Sequence, residues 1–159
     1  MVILPATEAD LQAVIELVAQ GRAALARQGV DQWQDGYPAP GHISADIGRN
    51  RGYVLCKPGV EGPLSVIAYG AVVFDGEPAY DAIDGQWLTD EPYVLRGVAA
   101  ALLREAAREA LVRGIRSFRI DTHPDNGPMR ALLVREGFAC RGKVRYEAVR
   151  LAYEKPILG

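Results

Sequence analysis

Cysteine and histidine are nearly missing from this chain. It has two of each, Cys56 and Cys140, His42 and His123, all far apart. A disulfide scaffold or a structural zinc site needs more of these residues at closer spacing, so neither is expected, no metal is expected, and both thiols should stay reduced. Charge of one sign is lacking too. Eighteen basic residues against twenty acidic leave a net charge of −2. A protein that grips nucleic acid through its phosphates needs a basic face, so no nucleic-acid partner is expected. Long apolar runs are absent: the longest, Val98 to Leu103, is six residues, against the roughly 18–20 that span a bilayer. No basic segment precedes an apolar stretch at the N-terminus, so a signal peptide is not expected. These absences lead us to expect a cytoplasmic protein with no membrane partner.

What remains is 159 residues, 49% of them hydrophobic. That is enough chain to bury a core and too apolar for disorder. No repeat or linker divides it, so residues 1–159 read as a single domain. Val2 to Leu4 reads as a strand. Thr7 is placed to cap a helix by accepting an amide of its first turn; Leu11, Val14, Ile15, Leu17 and Val18 follow at helical spacing, with Gly21 expected to break or bend the helix. Asp31 to Gly41 reads as a loop carrying Trp33 and Tyr37, which either cover the core edge or wall a pocket. His42 to Arg49 reads as a short helix with Ile43 and Ile47 on one face.

Strands are expected at Tyr53 to Lys57 and Leu64 to Phe74, the latter closing at Asp75-Gly76, a hairpin signal. Glu77, Asp81 and Asp84 then make an acidic turn region that ends near Trp87. A short strand, Tyr93 to Leu95, leads to an alanine- and leucine-rich helix from Val98 to Arg113. Ser117 to Asp121 is a strand, Asn126 to Glu136 a helix, and Phe138 to Val144 and Glu147 to Tyr153 the last strands. The strand–helix–strand unit around Val98 to Arg113 implies two neighbouring parallel strands.

Three segments carry a resemblance: Pro5 to Leu11 as the first strand and helix entry, Arg96-Gly97-Val98-Ala99 with the helix they open, and Asp121 to Asn126 followed by Met129 and Gly137-Phe138. In this order the chain resembles the GNAT superfamily of N-acetyltransferases over essentially its whole length. The resemblance implies an α/β (α+β) fold, with a central mixed, mostly antiparallel sheet of six or seven strands flanked by helices and splayed between the two parallel strands. It implies transfer of an acetyl group from acetyl-CoA, as co-substrate, to a primary amine of a small molecule or peptide by direct attack on the thioester. The protein would be a monomer or homodimer.

A glycine-bearing turn running into a helix points free amides at one spot, which suits a pyrophosphate. The resemblance implies that coenzyme A lies on Val94, Leu95, Arg96, Gly97, Val98 and Ala99, with Asn126 either on the pantetheine arm or capping its helix. Asp121 and His123, at the end of the strand after the cofactor helix, are the catalytic candidates; the alternative is a structural role for each. Trp33, Tyr37, Glu77 and Asp84 are the acceptor-binding candidates, the acidic pair drawing a cationic amine or being a solvated turn.

Two departures from the family pattern stand out. Its loop begins with Gln or Arg where this chain has Val94, and only Tyr93 to Leu95 separate Pro92 from Arg96. Residues missing between Leu95 and Arg96 are expected to account for this; a true deletion would favour a catalytically impaired acyl-CoA-binding or regulatory domain. The usual proton-donating tyrosine is replaced by Leu133, with Tyr146 or solvent as substitutes.

Overall fold

The structure, a computed structural model, describes residues 2–58, 64–74, 76–89, 94–96 and 100–157. The chain forms two compact units, one of residues 1–71 and 97–102, the other of residues 72–96 and 103–159.

In the first unit, β1 (Val2–Pro5) pairs antiparallel with β2 (Gly52–Lys57), and β2 pairs antiparallel with β3 (Ser65–Val73), which runs on into the second unit at Val72. Helices α1 (Leu11–Arg27) and α2 (Pro40–Gly48) supply the rest of its core. Val14, Ile43, Ile47, Val54 and Cys56 are buried together, with Leu11, Ile15, Val18 and Tyr69 packed against them. The expected face of Ile43 and Ile47 is thus the buried face of α2.

Three local expectations change here. Thr7 is the N-cap residue, as expected, but its capping box is closed by the Asp10 carboxylate as well. Its own backbone N–H and its hydroxyl both donate to Asp10 Oδ2, each at 2.8 Å, so the carboxylate caps the turn and a short 3-10 turn (Glu8–Asp10) precedes α1. Gly21 does not break α1, which is continuous. A Cβ there would stand 3.3 Å from the Trp33 ring; the glycine makes room for the indole, and one glycine costs a helix only about 1 kcal/mol. The second helix starts two residues early, at Pro40, whose fixed φ suits a first helical position. His42 Nδ1 accepts the Ala39 N–H at 3.0 Å, as a cap inside the first turn.

In the second unit, β5 (Val94–Arg96) pairs parallel with β6 (Ser117–Thr122) at Val94↔Arg119. Strand β6 pairs antiparallel with β8 (Val149–Pro156), and β8 with β7 (Ala139–Arg145). Helix α3 (Ala100–Val112) connects β5 to β6, and α4 (Gly127–Arg135) connects β6 to β7. The parallel pair and the antiparallel remainder are as expected.

The described strands number eight rather than six or seven. The extra one is β4 (Asp84–Gly85), which lies antiparallel on β7 with Asp84↔Lys143 and Gly85↔Gly142. The segment from Glu77 to Trp87 is therefore not a hairpin with β3: Pro78–Tyr80 forms a 3-10 turn and the chain crosses to β7. Gly85 and Gly142 make that crossing possible, with φ of +150° and +154° and each backbone so close that a Cβ on either would sit 2.2 Å from a carbonyl oxygen of the other strand's segment. Leu95 and Arg96, where missing residues are expected, both lie in β5 (Val94–Arg96); residues 90–93 and 97–99 on either side lie outside the described residues. Among the described residues, no helix is long and apolar enough to cross a membrane.

Candidate active site

Strand β6 alternates, and its two faces differ in polarity rather than in burial. Phe118, Ile120 and Thr122 go to one side and are buried. Ser117, Arg119 and Asp121 line the other. Across the ladder, Arg119 stands opposite Glu154 and Asp121 opposite Ala152. The small alanine leaves space over Asp121, and Tyr80 occupies it, buried with Val73, Val144 and Ala152.

Asp121 is half-buried, and its Oδ2 is the meeting point of two phenols. The Tyr80 hydroxyl donates to it at 2.9 Å, and the Tyr146 hydroxyl, from the turn between β7 and β8, at 3.1 Å. Tyr80 is 2% exposed and Tyr146 37%. Burial, with the neighbouring Asp121 charge, pushes the Tyr80 phenol well above its ordinary 10.0, so it keeps its proton and remains a fixed donor.

Tyr80 also reaches the next part of the face. Its carbonyl accepts the Trp87 indole N–H at 3.0 Å, and the Arg119 guanidinium lies 4.4 Å from the Trp87 ring. Arg119 Nε in turn pairs with Glu154 Oε1 at 3.1 Å, with both side chains buried. Glu154 also accepts the Ser117 hydroxyl at 2.5 Å, the Thr89 hydroxyl at 3.3 Å and the Leu88 amide, while Arg119 donates to the Thr89 carbonyl. Burial opposes the Glu154 charge, but these donors outweigh it and hold the carboxyl below its ordinary 4.5. The ion pair thereby ties residues 87–89, the approach to β5, onto β6 and β8.

The candidates read from the sequence include Asp121 but not Tyr80, Arg119 or Glu154, which the structure places on the same face. The register of a polar residue opposite another polar residue was the available signal, and it requires knowing that β6 pairs with β8 rather than with its sequence neighbour. Of the other candidates, His123 is buried, and its Nδ1 accepts the Asp125 amide at 3.1 Å. Asn126 Oδ1 caps α4 by accepting the Met129 amide at 3.2 Å. Glu77 precedes the 3-10 turn, and Asp84 is exposed on β4.

Trp33 lies over Gly21 of α1, and the Tyr37 ring is 5.0 Å from that of His42. Leu133, at the family's tyrosine position, is fully buried in the core. Val94, Leu95 and Arg96 form β5; Gly97, Val98 and Ala99 lie outside the described residues. An open hollow of about 410 Å³, lined by Gln86, Trp87, Leu88, Cys140 and Arg141, includes none of the predicted site residues. No group of three His, Cys, Asp or Glu side chains able to hold a metal occurs among the described residues.

A parallel β5–α3–β6 unit with a carboxylate at the C-terminal end of β6 is where an open sheet takes its ligands. Comparison with known proteins places it: the family model described as "Acetyltransferase (GNAT) family" matches residues 19–138. The chain belongs to the GNAT family. Among solved structures, a GNAT acetyltransferase from Streptococcus agalactiae 2603 is 31% identical over 99% of this chain and 96% of that one, with a TM-score of 0.83. Two more distant GNAT-fold structures share the architecture. One is the ribosomal-protein-alanine N-acetyltransferase of Brucella melitensis, 21% identical over 99% of this chain and 100% of that one, TM-score 0.63. The other is the PaiA N-acetyltransferase of Thermoplasma acidophilum in complex with coenzyme A, 14% identical over 98% of each chain, TM-score 0.67. No curated protein matches this GNAT chain.

Proposed function

We propose that the chain is an acyl-CoA-dependent N-acyltransferase that moves an acetyl group from acetyl-CoA to a primary amine of a small molecule or peptide. The observation that carries this reading is Asp121, a carboxylate at the C-terminal end of β6 beside the parallel strand β5, in a chain of GNAT family and fold. A solved structure of the same fold holds coenzyme A, which supports the cofactor.

In this reading the amides that follow β5, at Gly97, Val98 and Ala99, hold the pyrophosphate, and Arg96 adds charge. Asp121 draws the acceptor's ammonium and takes its proton, because an alkylamine of pKa near 10 is mostly cationic at pH 7 and cannot attack until it loses one. His123 lines the same strand end. Trp33, Tyr37, Glu77 and Asp84 contribute to acceptor binding. With a net charge of −2, the expected partners are amines rather than nucleic acid or a membrane.

A second reading, an acyl-CoA-binding or regulatory domain without turnover, is favoured by one observation. Val94 stands where the family pattern has Gln or Arg. Two measurements separate the readings. A rise in Tm with coenzyme A indicates a cofactor binder. Thiol release from acetyl-CoA with amino acids, polyamines, aminoglycosides or peptide N-termini indicates transfer. A Tm rise with no thiol release from any acceptor selects the binding domain; no response in either overturns both.

A further inference from the structure

The two phenols on Asp121 Oδ2 differ in the property that matters for moving a proton. Both donate, because an ionised carboxylate has no proton to give. Tyr80 is sealed in the core and keeps its proton. Tyr146 sits on the β7–β8 turn, more than a third exposed, and that turn is closed by its backbone N–H on the Ala148 carbonyl at 3.1 Å. The Tyr146 O–H is directed at Asp121, so its oxygen lone pairs face away from the carboxylate. The Tyr146–Asp121 hydrogen bond lies at an exposed position, whereas the Tyr80–Asp121 bond is partly buried.

The geometry points to Tyr146 as a catalytic residue, the group that receives the acceptor's proton and relays it to Asp121, with Tyr80 as the positioning residue that fixes the carboxylate. This rests on the acyltransferase reading above and names the residue that reading lacks. The ammonium gives one proton to the Tyr146 oxygen while the Tyr146 phenol proton passes to Asp121 Oδ2. The freed nitrogen lone pair forms the C–N bond at the thioester carbonyl. The C–S bond breaks with its electron pair on sulfur, and the second nitrogen proton reaches that thiolate through solvent. Asp121 then returns its proton to solvent. The relay uses a hydrogen bond already formed in the free protein.

The test compares wild type with Tyr146→Phe, Asp121→Asn, the double variant and Tyr80→Phe. Thiol release from acetyl-CoA is measured with two small probes, ethylamine, which is cationic at pH 7, and hydroxylamine, which is largely neutral. Tyr146→Phe should lower kcat with ethylamine by about 100-fold, the lower end of a general-base contribution. With hydroxylamine it should lose only a few-fold. The KM for acetyl-CoA and the Tm rise with coenzyme A should not change. Asp121→Asn should lose about as much, and the double variant no more than either single one, since both serve one step. Tyr80→Phe should give a smaller kcat loss with the same acetyl-CoA KM. Equal loss with both amines, no loss in Tyr146→Phe, or multiplying losses in the double variant would overturn the relay while leaving the acyltransferase reading intact. Thiol release from neither probe in wild type overturns the relay; if the wider acceptor panel also fails, the acyltransferase reading falls with it.

Discussion

Arg119 and Glu154 face each other across β6 and β8 as a buried ion pair, Nε to Oε1 at 3.1 Å, with the glutamate fully buried and the arginine 4% exposed. A charge in such a place is stable only with its partner. Glu154→Leu removes one charge and leaves a guanidinium in the core, which typically costs about 3–5 kcal/mol. It also releases the Leu88 amide and the Ser117 hydroxyl. Urea unfolding of this variant should show a fall of that order. Loss within about 1 kcal/mol of wild type would mean that the pair is not a structural clamp.

The same pair sets a pH dependence. The folded Glu154 carboxyl titrates below its ordinary 4.5. A depressed folded value contributes stability that is whole above the unfolded value and is lost as pH falls through the folded one. Wild-type stability should therefore fall below about pH 4.5, the unfolded value of a glutamate. Glu154→Gln should flatten that part of the profile. An acid limb of unchanged steepness in the variant would assign the acid sensitivity to other carboxylates.

Much of this architecture is legible in the residues, and the failures have a common cause. Ile43 and Ile47, the β5–α3–β6 unit and Asp121 at its end follow from local periodicity and element order. The positions of Gly21, Asp84 and Glu154 depend on partners distant in sequence. Gly21 looks like a breaker until Trp33 is seen lying on it. Asp84 looks like part of a hairpin until β4 is found paired with β7. Glu154 falls one residue past the strand expected at Glu147 to Tyr153, and nothing nearby in sequence announces Arg119 across the ladder. Asn126 illustrates the opposite case: its two readings were open, and the local one, the cap on Met129, is formed.

That cap supports a third prediction. Removing an N-cap side chain costs about 1 kcal/mol, so Asn126→Ala should lower stability by that amount and Asn126→Asp should restore most of it, since Asp caps as well as Asn. Calorimetry of the two variants checks this. Equal losses in both would show that the amide group, rather than its capping oxygen, is what matters at this position.

Strand β4 exists because two glycines cross. A Cβ at position 142 would lie 2.2 Å from the Asp84 carbonyl oxygen, and φ there is +154°. Gly142→Ala cannot be accommodated by turning a side chain, because the obstacle is backbone. It should detach Asp84–Gly85 from β7 while leaving the β7–β8 ladder in place. Hydrogen exchange should show the Gln86 amide, which donates to the Arg141 carbonyl at 3.2 Å, losing protection selectively. Unchanged protection of that amide would count against the crossing.

The last prediction concerns Trp33. Its backbone is in the left-handed region at φ 71°, and its ring lies 3.3 Å from where a Gly21 Cβ would be. The ring is therefore seated on α1, and Gly21→Val should unseat it without replacing any atom of Trp33 itself. If Trp33 only covers the helix, Gly21→Val and Trp33→Ala should both lower Tm and leave every KM unchanged. If the indole also walls the acceptor site, both variants should raise the acceptor's KM and spare that of acetyl-CoA, because each displaces the same ring by a different route. We expect the second outcome. A rise in the acetyl-CoA KM alone, in either variant, would reject Trp33 as an acceptor-binding residue.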